Sequence, residues 1–316
     1  MIINSVCVLG GSGFVGRHVC QALAGRGYRV RVPTRNRERA KSLIVLPTVD
    51  VVTADIHDPA ALSEVVRGAH AVINLVGVLH DGRGQSSFPE AHVALARKVI
   101  AACRANSVRR LLHMSALNAD VTGPSAYLRS KGEAEIAVRE SGLDFTIFQP
   151  SVIFGREDRF LNLFARLLQL LPVVFLGSPN ARFQPVFVED VAAVLAESLT
   201  RQEGFGKTYE LAGPKAYTLR ELVAYVGKVT GHHRPIIGLG ERLSYWQAFA
   251  MELLPVKLLT RDNHYSMQVD SLSASRLPFG IAPTALEAAA PAWLASNTPR
   301  TRYNLFRDRS HNGTKR

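Results

Sequence analysis

The chain has 316 residues, 47% of them hydrophobic, and a mean hydropathy of +0.05, which suits a globular protein with a substantial core rather than a membrane-spanning bundle. Its net charge is +12, from 38 basic and 26 acidic residues; residues 298–316 hold six Lys/Arg and only Asp308, leaving about +7 for the rest and a short basic tail expected to be disordered. No nucleic-acid motif accompanies this charge, and Cys7, Cys20 and Cys103 lie in apolar patterns without CxxC or Cys/His spacing, so neither nucleic acid, a disulfide nor a metal site is expected.

Nothing with the pattern of a secretory leader precedes the first apolar run, Val6-Cys7-Val8-Leu9, so a cytoplasmic location is expected. From there to about residue 150 short β-branched runs alternate with helical periodicity. Strands are predicted at 4–9, 28–34, 49–54, 71–76, 110–115 and 144–149, with helical segments between them. This is the pattern of an α/β Rossmann fold, a doubly wound parallel sheet whose ligand crevice lies at the carboxyl ends of the strands.

After the first strand comes Gly10-Gly11-Ser12-Gly13-Phe14-Val15-Gly16, opening an amphipathic helix. Glycines at 11, 13 and 16 permit a tight turn, close approach of the backbone to a pyrophosphate, and close helix–strand packing, while the helix N-terminus offers N–H groups to anionic oxygens. The second strand ends Val32-Pro33-Thr34-Arg35-Asn36-Arg37, without the carboxylate that binds the ribose 2′-hydroxyl of NAD. Arg35, helped by Arg17, suits the extra 2′-phosphate instead, so NADP(H) is favoured over NAD(H); two ordinary surface charges, with Glu38 rescuing NAD binding, are the alternative.

Strand ends supply the other expected cofactor-lining residues: Asp55 and Ile56 after the third, Asn74, Val76 and Gly77 at the fourth, Ser115 at the fifth, and Pro150 and Val152 after the sixth. Asp55 and Gly77 also fit a plain helix cap and a plain turn. Past the fifth strand, Tyr127 and Lys131 stand at i, i+4 on a predicted helix and share one face. There Tyr127 can act as general acid or base beside the ammonium of Lys131, which also reaches a nicotinamide ribose.

Beyond Pro150 the alternation loosens into a helical run at 159–171, a strand at 183–188 and a helix at 191–200. Residues 1–150 are expected to form the NADP(H)-binding domain and 151–297 a smaller lobe packed on it, since no flexible linker divides them. The apolar stretch 161–176 is broken by Arg166, Gln169 and Pro172, so no transmembrane helix is expected. Asp158 and Arg159 either grip a substrate or form an ion-paired helix start. Residues 243–254, rich in aromatic and aliphatic side chains and followed by Pro255 and Lys257, read either as a core-facing helix or as one lying in a membrane interface.

The glycine loop, Asp55, Asn74, Tyr127/Lys131 and Gln184-Pro185-Val186-Phe187-Val188-Glu189-Asp190-Val191 resemble an extended or atypical short-chain dehydrogenase/reductase over most of the chain. More narrowly, Ser125-Ala126-Tyr127-Leu128-Arg129-Ser130-Lys131, Phe154-Gly155-Arg156-Glu157-Asp158-Arg159-Phe160-Leu161-Asn162 and Leu259-Thr260-Arg261-Asp262 resemble the NADPH-binding accessory subunit family of respiratory complex I and its stand-alone bacterial relatives. That resemblance implies a peripheral protein holding NADPH in a structural or regulatory role, with partners in a respiratory or quinone-biosynthesis complex; contact with an anionic membrane surface or an acidic partner is the second reading of the basic tail. The alternative is an active NADP(H)-dependent reductase, epimerase or dehydratase of a small carbonyl or quinone-like substrate. Two departures from the active pattern bear on the choice: His92-Val93 stands where active relatives have Asn-Val, and Leu117 where they carry the catalytic Ser or Thr, with Ser115 two residues early.

Overall fold

The computed structural model describes residues 3–253 and 259–295; the basic segment 298–316 and the end of the 243–257 stretch lie outside them. Seven parallel strands form one sheet: β1 (Ser5–Leu9), β2 (Arg29–Thr34), β3 (Val49–Thr53), β4 (Ala71–Asn74), β5 (Arg110–Met114), β6 (Asp144–Pro150) and β7 (Lys207–Leu211), in the order β7-β6-β5-β4-β1-β2-β3. The order reverses between β1 and β4, where a ligand crevice opens in doubly wound folds. Alternation along β1 explains why the sheet is covered twice: Val6 and Val8 face one core, Cys7 and Leu9 the other, and all four are fully buried.

Helices α1 (Phe14–Gly25) and the short α2 (Lys41–Ile44) lie on the Val6/Val8 side. Helices α3 (Pro59–Val66), α4 (Leu95–Ala105) and α5 (Ala126–Arg139) cover the Cys7/Leu9 side. Local chemistry sets the starts of α3 and α5: Asp58 caps α3, with Pro59 at its first position, and Ser125 caps α5. A π-helical turn, Pro89–Ala94, precedes α4 and carries His92. The three cysteines are buried and free, as their apolar settings predict.

Past β6 the chain builds α6 (Phe160–Leu170) in the lobe, returns through α7 (Val188–Ser198) to pack against α1, and adds β7 beside β6. Arg110 fastens this return. Its fully buried guanidinium donates to the carbonyls of Asp144, Ser198 and Leu199 and to Thr146 Oγ1. The expected strand at 183–188 is two short ones, Arg182–Phe183 and Val186–Phe187, because Pro185 between them has no N–H for a ladder.

The lobe adds α8 (Leu219–Thr230), α9 (Glu241–Glu252), α10 (Arg261–Ser266), α11 (Leu286–Ala289) and α12 (Pro291–Leu294). Its own core joins Phe154, Leu161, Leu168, Val174, Leu222, Val226 and Leu294. Residues Val174–Leu176 pair in parallel with Ile236–Gly238. Among the described residues no helix is long and apolar enough to cross a membrane.

Candidate functional site

The carboxyl end of β1 runs into a loop whose glycine positions leave little room for a side chain. Gly10 sits at φ +80°, and a Cβ there would lie 3.2 Å from the Leu75 carbonyl carbon at the end of β4. At Gly11 a Cβ would meet Val32 at 2.8 Å, at Gly13 the Gly10 oxygen at 3.1 Å, and at Gly16 the same oxygen at 2.3 Å. Helix α1 therefore starts pressed against the loop. Gly13 is its N-cap, with no side-chain cap and no acid in the first turn, so the first-turn N–H groups remain for an external anion. Uncapped donors over a backbone-only cradle fit a pyrophosphate. Around it, Phe14 packs on Gly155 and Val15 on the core beneath, and Ser12 lies between Gly11 and Gly13 in the turn.

The crevice continues along β4 and β5. Asn74 Oδ1 accepts the Val76 N–H at 3.2 Å, and its amide nitrogen lies 3.3 Å from His113 Nδ1. Nδ1 of His113 is then an acceptor and Nε2 carries the proton, although Nε2 is buried without a partner. Ser115 Oγ, two residues on, is likewise buried and unpartnered. A Cβ on Gly77 would stand 3.1 Å from Lys131 Nζ and 3.6 Å from His92 Nε2, so these three residues share one corner. Ile56 and Val76 pack on the core under α3. Pro150 and Val152 serve through their carbonyls, which accept the N–H groups of Leu117 (3.0 Å) and Val186 (3.0 Å).

Tyr127 and Lys131 stand one turn apart in α5. Lys131 is buried, and its ammonium donates to the Met114 carbonyl at 3.1 Å; burial lowers its pKa to about 8, with Glu135 opposing. Half-buried Tyr127 packs edge-on against Phe88 and His92. Burial, and after it the negative charge of Asp262, push its hydroxyl up to about 12. Leu117 is buried and apolar, so it offers no donor at the position where a hydroxyl is expected.

His92 is not free to take that role. Its Nε2 accepts the Val78 N–H at 3.1 Å, so its proton is on Nδ1, 2.8 Å from Ser130 Oγ, which in turn donates to the Tyr127 carbonyl. Burial, then the neighbouring Lys131 charge, lower its pKa to about 2. It is a neutral brace between the β4 loop and α5.

The arginines expected at the 2′-position have different partners. Arg35 reaches Gln85 Oε1 at 2.8 Å, and Gln85 reaches Asp55 at 3.1 Å, which bridges the ends of β2 and β3. Asp55 also accepts the His57 N–H, the main reason its pKa is lowered. Arg17 instead pairs with Glu157 at 2.9 Å. Glu38, the acid able to favour NAD, is exposed and paired with Lys41. Asp158 caps α6, accepting from Leu161 N at 2.6 Å and Gly155 N at 3.1 Å, which answers its sequence ambiguity in favour of a helix start.

One residue here escapes sequence reasoning although its motif is visible. Asp262 in α10 accepts the N–H groups of Ala126 (2.6 Å) and Tyr127 (3.2 Å). Next to it Asn263 donates to the Leu79 carbonyl at 3.3 Å, and Ser266 bonds Ser125. The lobe thus clamps the start of the Tyr127 helix.

Residues 10–202 match the family described as NAD(P)H-binding. The chain is 32% identical over 293 residues to the mitochondrial NADH dehydrogenase (ubiquinone) 1 alpha subcomplex subunit 9 of Rattus norvegicus, covering 89% of this chain and 77% of that one. It is 37% identical over 225 residues to the subunit of the same name from Arabidopsis thaliana, covering 68% of this chain and 55% of that one. Its fold is similar to that of an NADPH-dependent quinone oxidoreductase, QOR2, from Escherichia coli solved with NADPH: TM-score 0.72, 23% identity, 95% of this chain and 99% of that one.

Proposed function

This chain belongs to the NAD(P)H-binding family and is a relative of the alpha subcomplex subunit 9 proteins, and from that premise we propose that it holds NADP(H) in preference to NAD(H) as an accessory or regulatory protein of a respiratory complex or of quinone metabolism, peripheral to the inner face of an anionic membrane. Residues 1–150, completed by α7 and β7, act as the nucleotide domain, and the remainder of 151–297 as the lobe packed on it. Residues Gly10 to Gly16 hold the pyrophosphate. Arg35, in a strand end that lacks a carboxylate, meets the 2′-phosphate; Asp55, Asn74, Val76, Gly77, Ser115 and Lys131 line the remainder.

The observation that carries this reading is the contrast between an intact phosphate cradle and a depleted donor set. When bound, the nicotinamide supplies a hydride; this chain offers Tyr127 as the clear donor toward a reacting oxygen, with Leu117 apolar, His92 already engaged and the unpartnered Ser115 hydroxyl two residues early. Loss of one such donor typically costs about 100-fold to 1,000-fold in rate. The second reading, an active reductase, epimerase or dehydratase, is favoured by one observation: Tyr127 and Lys131 share a helix face beside Gly77.

Turnover separates the two. NADPH oxidation with ubiquinone analogues and small carbonyls is expected to stay at background in wild type and in Tyr127→Phe, while both bind NADPH. Turnover in wild type that falls by about 100-fold or more in Tyr127→Phe overturns the accessory reading.

A further inference from the structure

An ordinary surface helix turns its large apolar side chains inward; α9 half-buries Tyr245 and Phe249 against α10 and leaves a second apolar face outward. Ser244 and Ala248 are its buried residues. Ser244 Oγ accepts the Ser178 N–H at 3.1 Å, and Gln247 Nε2 donates to the Phe175 carbonyl at 2.8 Å. Leu243, Trp246 and Leu253 are 60%, 62% and 73% exposed. With exposed Ala250 they recur at spacings of three and four, so they form one outward stripe.

Gln247 joins this stripe to a second apolar edge. Phe175 and Ile237 are register partners in the short parallel pair and both face outward, 56% and 47% exposed, while α6 ends on exposed Leu170 and Leu171.

The surrounding charge is predominantly basic. Residues 159–188 and 222–240, which supply α6, both strands of that pair and most of α8, include exposed Arg159, Arg166, Lys228 and Arg234 and no Asp or Glu, while their fifth cation, Arg182, is paired with Asp270. Arg242 is exposed beside Glu241 in the first turn of α9, and Glu252 at its end is paired with Arg261 at 2.9 Å. A protein interface draws on hydrogen-bonded polar groups at its rim. An apolar stripe with an outward Trp, set in a basic surround, matches a helix lying at the headgroup level of an anionic bilayer.

We infer that the α9 stripe, with Phe175 and Ile237, is the surface by which this protein docks on an anionic lipid bilayer. This deepens the membrane-peripheral part of the reading above and is independent of its nucleotide part, so the two fail separately: vesicle binding can be lost with NADPH affinity intact, and the reverse.

The full chain is floated with phosphatidylcholine vesicles and with vesicles containing phosphatidylglycerol, as wild type, as Leu243→Glu/Trp246→Glu, and as Arg166→Glu/Arg242→Glu. These positions are exposed, and an unchanged NADPH affinity verifies the fold of each variant. Wild type is expected to float with the anionic vesicles only. Each double variant is expected to reduce that partition by about tenfold or more. Failure of wild type to float, or flotation undiminished in the Glu variants, overturns the inference. Absence of flotation together with self-association of wild type that the Leu243/Trp246 variant abolishes overturns it in favour of a protein partner.

Discussion

At the scale of single residues the site is governed by burial. His92 and His113 are held neutral, at about 2 and about 3 against an ordinary 6.5, chiefly by desolvation and then by Lys131. Both folded values lie below the unfolded one, so the stability each histidine contributes is fully present above pH 6.5 and is lost as pH falls toward the folded value. The slope is about 1.4 kcal/mol per pH unit for each histidine. His92→Asn is therefore expected to flatten the pH dependence of urea unfolding by about that amount per unit between pH 6.5 and about pH 4.5. An unchanged slope contradicts a neutral, buried brace. Sequence made the glycines and the Tyr127/Lys131 pair legible because their chemistry depends on neighbours a few residues away. It left His92 ambiguous, since its roles are set by Val78 and Ser130, and it did not show the pairing of Arg17 with Glu157.

Among the elements, the coupling of α10 to α5 is the one with consequences for the site. Asp262 gives the α5 N-terminus two charge-assisted hydrogen bonds from more than 130 positions away and brings its negative charge near Tyr127. Removing a cap of this kind costs about 1–2 kcal/mol. Asp262→Ala is expected to lower stability by that amount and to raise amide exchange at Ala126 and Tyr127 specifically. Exchange that rises uniformly, or not at all, contradicts a clamp. The first six sheet strands and the helices at 160–170 and 188–198 are readable from period, with boundaries within about three residues; β7, α8 and the short helices after α9 are not. Nor is the π-helical turn under His92, because its sequence differs little from that of an α-helix entry.

For the molecule as a whole, the family and the fold coincide with the alternating text of the first half, and the second half explains what that text could not. Strand β7 and helix α7 come back to the sheet after the chain has begun the lobe, a long-range arrangement that no local pattern specifies. The outward apolar stripe of α9 was visible only as composition; which side faced out required its neighbours Ser178 and Phe175.

The central claim is that the glycine cradle binds NADP(H), with the 2′-phosphate read by Arg35. Calorimetric titration of NADPH and NADH into wild type and Arg35→Ala tests it most directly. One NADPH per chain is expected, about tenfold or more tighter than NADH in wild type, with the difference largely erased in Arg35→Ala, since one charge-assisted phosphate contact is worth roughly 1.5–3 kcal/mol. Equal affinities of wild type for the two nucleotides, or no binding of either, contradict the account.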